Sequence, residues 1–204
     1  MKKEFRPKAI VEGANLYLTP EARRALEKLG VIIIKDSSAN KAGVICSSLE
    51  VLCSLTLTEE EFIKEKPALM KQIYESIGTK AQNEAELLLR TRDETGQFLT
   101  DISDLISEKI NLYKYQLLDF FSSIILPSHP DDPLVRALLA FCPPLLAEKY
   151  RDRVIQKIPD IHKKAMIACY IASRLVYTRG LSWAPSIVEI LPLIALDPKI
   201  TPAK

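Results

Sequence analysis

Glycine is scarce in this chain, six in 204 residues, at positions 13, 30, 43, 78, 96 and 180. With that spacing neither G-x-G-x-x-G nor G-x-x-x-x-G-K can be written anywhere, so a complete nucleotide-binding fold of the usual kind is excluded. Histidine is scarcer still, with only His129 and His162. No histidine-based metal set exists, and His162, beside Lys163 and Lys164 at a predicted helix start, reads as a surface or capping residue. Cys46, Cys53, Cys142 and Cys169 lack C-x-x-C spacing and read as buried free thiols rather than bridges or zinc ligands. An excess of basic charge is also missing. Against 26 acidic residues stand 28 basic ones, a net charge of +2, which argues against nucleic acid as a partner. No apolar run approaches the ~20 residues of a membrane span, because Arg136, Pro143, Arg174 and Pro192 interrupt the best candidates. The opening Met1-Lys2-Lys3-Glu4-Phe5-Arg6-Pro7 has no apolar secretory core, and the expected location is cytoplasmic.

What is present is a globular composition, 48% hydrophobic and 26% charged, in a length that suits one domain or two small ones with a real core. The first 56 residues differ from the rest. Ala9-Ile10-Val11 and Val31-Ile32-Ile33-Ile34 are short β-branched runs of the kind found in parallel strands buried on both faces. Between them Thr19 as N-cap, Pro20 at the first helical position, Glu21 in the first turn and Gly30 after Leu29 delimit a helix. The pattern predicts a β-α-β unit. A further helix is expected over 43–56, with Val44, Ser47, Val51 and Leu55 on one face and Cys46 and Cys53 on another.

From Thr58-Glu59-Glu60-Glu61, which has the form of a capping box, the chain reads helical to its end. Glu59-Glu60-Glu61 reads as dipole-complementing surface charge. The stretch 65–90 is weakly amphipathic with a break expected at Gly78, and 90–96 reads as a polar turn. Phe98, Ile102, Leu105, Ile106, Ile110, Tyr113, Leu117, Phe120 and Ile124 form a clear helical stripe that Pro127 ends. After a rigid loop over 127–133, three helices separated by prolines are expected over 134–141, 143–157 and 159–179, closed by Gly180. Tyr177 and Trp183 flank that glycine and read as anchors of the helix end in the core. The fold class is therefore mixed and predominantly α: a partial Rossmann-type βαβ unit over 1–57, followed by a helical domain over 58–204.

Ligands of an open parallel sheet bind outside the carboxyl ends of its strands. Here those ends carry Glu12-Gly13-Ala14-Asn15 and Asp36-Ser37-Ser38-Ala39-Asn40, each closing on an asparagine. An asparagine amide offers two donors and an acceptor, the groups that a ribose hydroxyl or a carboxamide needs. Either asparagine alone reads as ordinary turn chemistry, but the pair in adjacent strand-end loops favours a ligand. Lys35, Lys41 and Asp36 near this crevice read as solvated strand-end charges.

The residues Ile10-Val11-Glu12-Gly13-Ala14-Asn15, then Thr19-Pro20-Glu21-Ala22, then Asp36, Asn40, Gly43-Val44, Ser47 and Glu50 resemble, in order and spacing, the distal half of the cofactor domain of glutamate dehydrogenases. Lys35-Asp36-Ser37-Ser38-Ala39-Asn40-Lys41 looks most like the large, NAD-specific bacterial branch of that family. The segment from Ile158-Pro159-Asp160 to Ala168, with Ala172 to Tyr177, is similar to the C-terminal helical region of the same enzymes. The resemblance implies NAD as cofactor. It places Gly13, Ala14 and Asn15 against the nicotinamide-ribose part, and Asn40 on the carboxamide. It also implies that Ser47 binds a carboxylate of glutamate and that Val44 touches the substrate's carbon chain. One position departs from the family, which usually has two glycines where this chain has Ala42-Gly43.

No catalytic residue is assigned within the chain, since the family's amine-activating lysine and aspartate, like its dinucleotide fingerprint, lie in an upstream domain. The expected function is therefore the C-terminal segment of an NAD-dependent glutamate dehydrogenase, which interconverts glutamate with 2-oxoglutarate and ammonium. The segment contributes contacts but is not competent alone. The alternatives are a shortened, non-catalytic relative serving as a helical interaction module, and a helical scaffold whose βα piece is only structural. Because two strands cannot cover their own edges, self-association into a homo-oligomer is also expected.

Overall fold

The computed structural model of the chain describes residues 7–196. The charged opening segment 1–6 and the tail residues 197–204 lie outside the described residues. Strand β1 (Ala9–Val11), helix α1 (Pro20–Lys28) and strand β2 (Ile32–Ile34) form the expected βαβ unit. The strands run parallel, with Ala9, Ile10 and Val11 opposite Ile32, Ile33 and Ile34. Val31 lies outside β2 because its N–H closes the end of α1 by donating to the Leu26 carbonyl. Ile33 is fully buried, whereas Val11 is 67% exposed. The expectation of strands covered on both faces therefore holds for β2 and fails for β1, because helices pack against β2 and no described element covers the outer side of β1.

A single helical turn, α2 (Asp36–Ala39), occupies what read as a loop, and α3 (Ala42–Thr56) follows it. The buried face of α3 is Leu49, Leu52, Cys53 and Thr56; the face of Val44, Ser47 and Val51 is open to solvent. All four cysteines are free, but only Cys53 and Cys142 are buried; Cys169 is half-buried and Cys46 is exposed. Burial pushes the Cys53 thiol up to about 11 and the Cys142 thiol up to about 12.

Helix α4 (Glu59–Thr95) opens on the expected capping box: Thr58 accepts from the Glu61 N–H and Glu61 accepts from the Thr58 N–H. Glu61 also receives a two-nitrogen clamp from Arg153, so it is more than surface charge. The expected break at Gly78 and turn over 90–96 do not occur. Leu69, Glu84, Leu87, Leu88 and Thr91 are buried along α4 on both sides of Gly78, and that packing outweighs the ~1 kcal/mol intrinsic cost of one helical glycine. The stop falls at Gly96, whose φ of 71° provides the left-handed cap. A methyl group at Gly78 meets nothing within 4 Å. Gly78→Ala should therefore stabilise the chain by about 0.5–1 kcal/mol, seen as a higher urea midpoint at unchanged slope; a lower midpoint would contradict it.

Helix α5 (Leu99–Ser122) carries the predicted stripe, with Ile102, Ile106, Tyr113 and Leu117 buried and Leu105 at its exposed margin. It packs most extensively against α9 (Asp160–Arg179). The segment between them holds α6 (Pro133–Phe141), α7 (Pro144–Lys149) and α8 (Arg151–Lys157), and α10 (Ile187–Leu196) follows α9. What read as one helix over 143–157 is divided at Tyr150. Tyr113 donates to the Trp183 carbonyl at 2.6 Å, with the two rings edge to face, which fixes the chain after Gly180. The hydrophobic core runs through α3 to α10, and Ile32 and Ile34 pack against it. No helix among the described residues is long and apolar enough to cross a membrane.

Candidate functional site

The parallel register brings the carboxyl ends of β1 and β2 side by side, so the segments leaving them start from one edge. Glu12 continues the ladder with an N–H to the Ile34 carbonyl at 3.0 Å, and its carboxylate is fully buried. A charge at that depth requires a partner. Helix α1 provides it. Thr19 caps the helix by accepting from the Ala22 N–H at 3.2 Å, and Arg23, one turn in, donates Nε to both Glu12 oxygens at 3.1 and 3.0 Å. The Nη2 atom of Arg23 lies 2.7 Å from Glu12 and 3.3 Å from Asp36. The loop after β2 joins the same network, since the Asp36 N–H donates to Glu12 at 3.0 Å.

Asp36 in turn holds the first loop by accepting from the Leu16 N–H at 2.8 Å. Leu16 has a φ of 53°, a left-handed conformation that costs an ordinary residue about 1–2 kcal/mol, and this bond sustains it. The Leu16 N–H, then the Ser37 N–H and the charges of Arg23 and Lys35, hold the Asp36 carboxyl below the usual carboxylate range. The sequence-based picture of solvated strand-end charges is therefore corrected. Asp36 is only 11% exposed, Lys35 is paired with Asp104, and Lys41 lies 2.7 Å from Glu84. Asp36 finds its partner on α1, and Lys35 and Lys41 find theirs because helices α5 and α4 pack against this edge.

Both asparagines arrive in one place. Asn40 Nδ2 donates to Asn15 Oδ1 at 2.8 Å. Gly13 and Ala14 are exposed beside them, and the space a Cβ would take at Gly13 is open. Ala42, where the family prefers glycine, begins α3 without positive φ, so the methyl group brings no backbone strain. Val44 is 72% exposed on the open face of α3. Ser47 shares that face, with its hydroxyl donated back to the Gly43 carbonyl at 3.0 Å, the usual self-bond of a helical serine. Lys41, preceding α3, makes no side-chain cap to the first N–H groups of that helix. His162 is exposed, as expected.

Sequence reasoning missed the supports of the site: the pairing of Glu12 with Arg23, the side chains Glu84 and Ser103 that reach the Asn40 loop from α4 and α5, and Tyr177 of α9, which bonds to Glu84. A signal existed for the first. A glutamate closing a buried strand demands a cation, and Arg23 is the α1 residue one turn from the Thr19 cap. None existed for the others, which lie 46 or more residues away in sequence.

The site is one edge of a two-stranded parallel sheet presenting paired amides, attached to a helical body. Residues 1–98 match the model of the glutamate/leucine/phenylalanine/valine dehydrogenase family. The chain is 37% identical to glutamate dehydrogenase 2 of Dictyostelium discoideum over 88% of its own length and 18% of that protein's. It is 34% identical to the NAD-specific glutamate dehydrogenase of Neurospora crassa over 85% of its length and 17% of that protein's, and 32% identical to that of Saccharomyces cerevisiae over 84% and 17%. The chain thus spans less than a fifth of the curated relatives it matches. No solved structure matches it significantly. These likenesses relate the chain to the NAD-dependent glutamate dehydrogenases.

Proposed function

We propose that this chain is the C-terminal segment of an NAD-dependent glutamate dehydrogenase, with 1–57 the distal part of its dinucleotide-binding domain and 58–204 its C-terminal helical domain. The observation that carries the reading is the Asn15–Asn40 pair. Their mutual bond uses the acceptor of Asn15 and a donor of Asn40, so the amide group of Asn15 and the carbonyl of Asn40 remain to meet a ligand. A donor beside an acceptor is the complement of a carboxamide. In this reading Asn40 holds the nicotinamide carboxamide and Asn15 the nicotinamide ribose, with Gly13 and Ala14 giving the ligand close approach. The residues present fit this end of NAD only, since the chain carries no glycine fingerprint for the phosphates.

Bound NAD supplies the hydride acceptor for oxidation of glutamate to 2-oxoglutarate and ammonium. The chain's own residues bind and orient. Val44 lies along the substrate's carbon chain, and Ser47, after rotating its hydroxyl away from the Gly43 carbonyl, donates to a substrate carboxylate. The uncapped start of α3 favours that negative charge. The amine-activating groups belong to an upstream domain, which is the chain's partner together with the substrate. The same reading includes a cytoplasmic homo-oligomer of the large bacterial branch. The form of residues 35–41 supports the branch, and the uncovered edge of β1 supports association.

The test is made in an intact enzyme containing this segment. Ser47→Ala should raise the KM for glutamate by the equivalent of about 1–2 kcal/mol and leave that for NAD nearly unchanged, while Asn15→Ala should raise the KM for NAD. The isolated chain should reduce no NAD in the presence of glutamate. A larger loss for NAD than for glutamate in Ser47→Ala would remove the serine from the substrate site, and Asn15-dependent turnover by the isolated chain would refute its incompetence.

A further inference from the structure

The Asn40 loop is held from the helical body by one buried carboxylate. Glu84, midway along α4 and only 3% exposed, accepts the Ser38 hydroxyl at 2.6 Å and lies 2.7 Å from the Lys41 ammonium. Its second oxygen accepts the Tyr177 phenol from α9. Ser38 and Lys41 bracket Asn40 at two residues and one.

Proton accounting fixes the direction of the bonds behind it. The Ser103 hydroxyl on α5 lies 2.6 Å from that of Ser38 and 2.8 Å from that of Ser37. A hydroxyl has one proton. Ser38 gives its own to Glu84, so Ser103 must donate to Ser38, and Ser37 must donate to Ser103. The run Ser37, Ser103, Ser38, Glu84 is therefore a one-way relay of hydroxyl donors ending on the carboxylate. Burial first, and then the Glu84 charge, push the Tyr177 phenol well above its ordinary range, so it remains a donor throughout the physiological range. Three donors from two segments converge on Glu84, two of them, Ser38 and Lys41, from the Asn40 loop and the third from α9.

We propose that Glu84 is a positioning residue for Asn40: it fixes the loop on which the carboxamide-binding amide stands, and through Tyr177 it ties that loop to the C-terminal helices. The proposal rests on the assignment of Asn40 to the cofactor. It gives the helical body a direct mechanical connection to the cleft, because any movement of α9 against α4 acts on the carboxylate that holds Ser38 and Lys41.

Two measurements test it on Glu84→Gln and Tyr177→Phe, with Tyr113→Phe as a control that removes a phenol–carbonyl hydrogen bond not reaching the loop. The first is hydrogen exchange of the amides over 36–41 in the ligand-free chain. Both test variants should accelerate it about tenfold while the control does not, since weakening two side-chain anchors lowers the local opening free energy. The second, in the intact enzyme, is steady-state kinetics. Glu84→Gln should raise the KM for NAD about tenfold with kcat and the KM for glutamate little changed, a split that general destabilisation would not produce. Unchanged exchange in Glu84→Gln overturns the proposal, and so does faster exchange with an unchanged KM for NAD where Asn40→Ala does raise it. If Asn40→Ala itself leaves NAD kinetics untouched, the cofactor assignment has failed, and the positioning role falls with it for that separate reason.

Discussion

Replacing Arg23 with alanine should cost the chain about 3–5 kcal/mol, the range for removing one member of a buried ionic network. Its guanidinium is the cationic partner of the fully buried Glu12 and lies beside the nearly buried Asp36. Without it two carboxylates face each other across a dry edge, and the Asp36 backbone N–H that donates to Glu12 does not neutralise either. The loss is a large part of the 5–15 kcal/mol that holds a typical domain folded. Urea unfolding followed by circular dichroism measures it. Arg23→Lys should recover only part, because an ammonium lacks the fork that meets both Glu12 oxygens. Combining Arg23→Met with Glu12→Gln should cost less than the sum of the single changes. A loss below about 1 kcal/mol in Arg23→Ala would show that water reaches the network and screens it.

The second large effect is expected at Phe121, where substitution by alanine should cost about 3–5 kcal/mol. Phe121 is fully buried on the last turn of α5 and meets Phe120 edge to face, with ring centres 5.9 Å apart. Its removal takes away both the burial of a large apolar surface and the ring contact, and leaves a void that a helix end fixed by its neighbours cannot fill. Ile125, four residues on, is 94% exposed, and Ile125→Ala should change stability by less than about 0.5 kcal/mol. Thermal or urea unfolding of the pair provides an internal comparison. A cost at Phe121 close to that at Ile125 would mean that the α5 end collapses freely onto its surroundings.

Much of this architecture was legible because local signals and tertiary packing agreed. Thr19-Pro20 and Thr58-Glu61 start helices in the chain for the reason they do so in any chain: their side chains satisfy N–H groups that the helix leaves open. The stripe along α5 is buried because its spacing places it on one face. Even the meeting of Asn15 and Asn40 followed from topology, since parallel strands must deliver their carboxyl ends to the same edge.

Where the sequence-based expectation went wrong, a distant partner had changed the balance. The helix signal fades at Gly78 and again over 90–96, yet α4 continues because residues buried on both sides of the glycine outweigh its local cost. Asp36 and Lys41 carry the composition of a solvated turn and are instead paired with Arg23 and Glu84. Val44 and Ser47 share a face by helical periodicity, but periodicity does not tell which face the core takes; Leu49, Leu52 and Cys53 occupy it.

The sequence by itself determined the βαβ unit, the helical body, the caps and the adjacency of the two asparagines, all consequences of interactions within a turn or between neighbouring strands. Only the tertiary structure decided which charges are buried, which face of α3 is open, and that Glu84, Ser103 and Tyr177 support the Asn40 loop. The hydrogen bonds of that support join residues 46 to 93 positions apart, and a contact of that kind exists only once the intervening chain has folded around it.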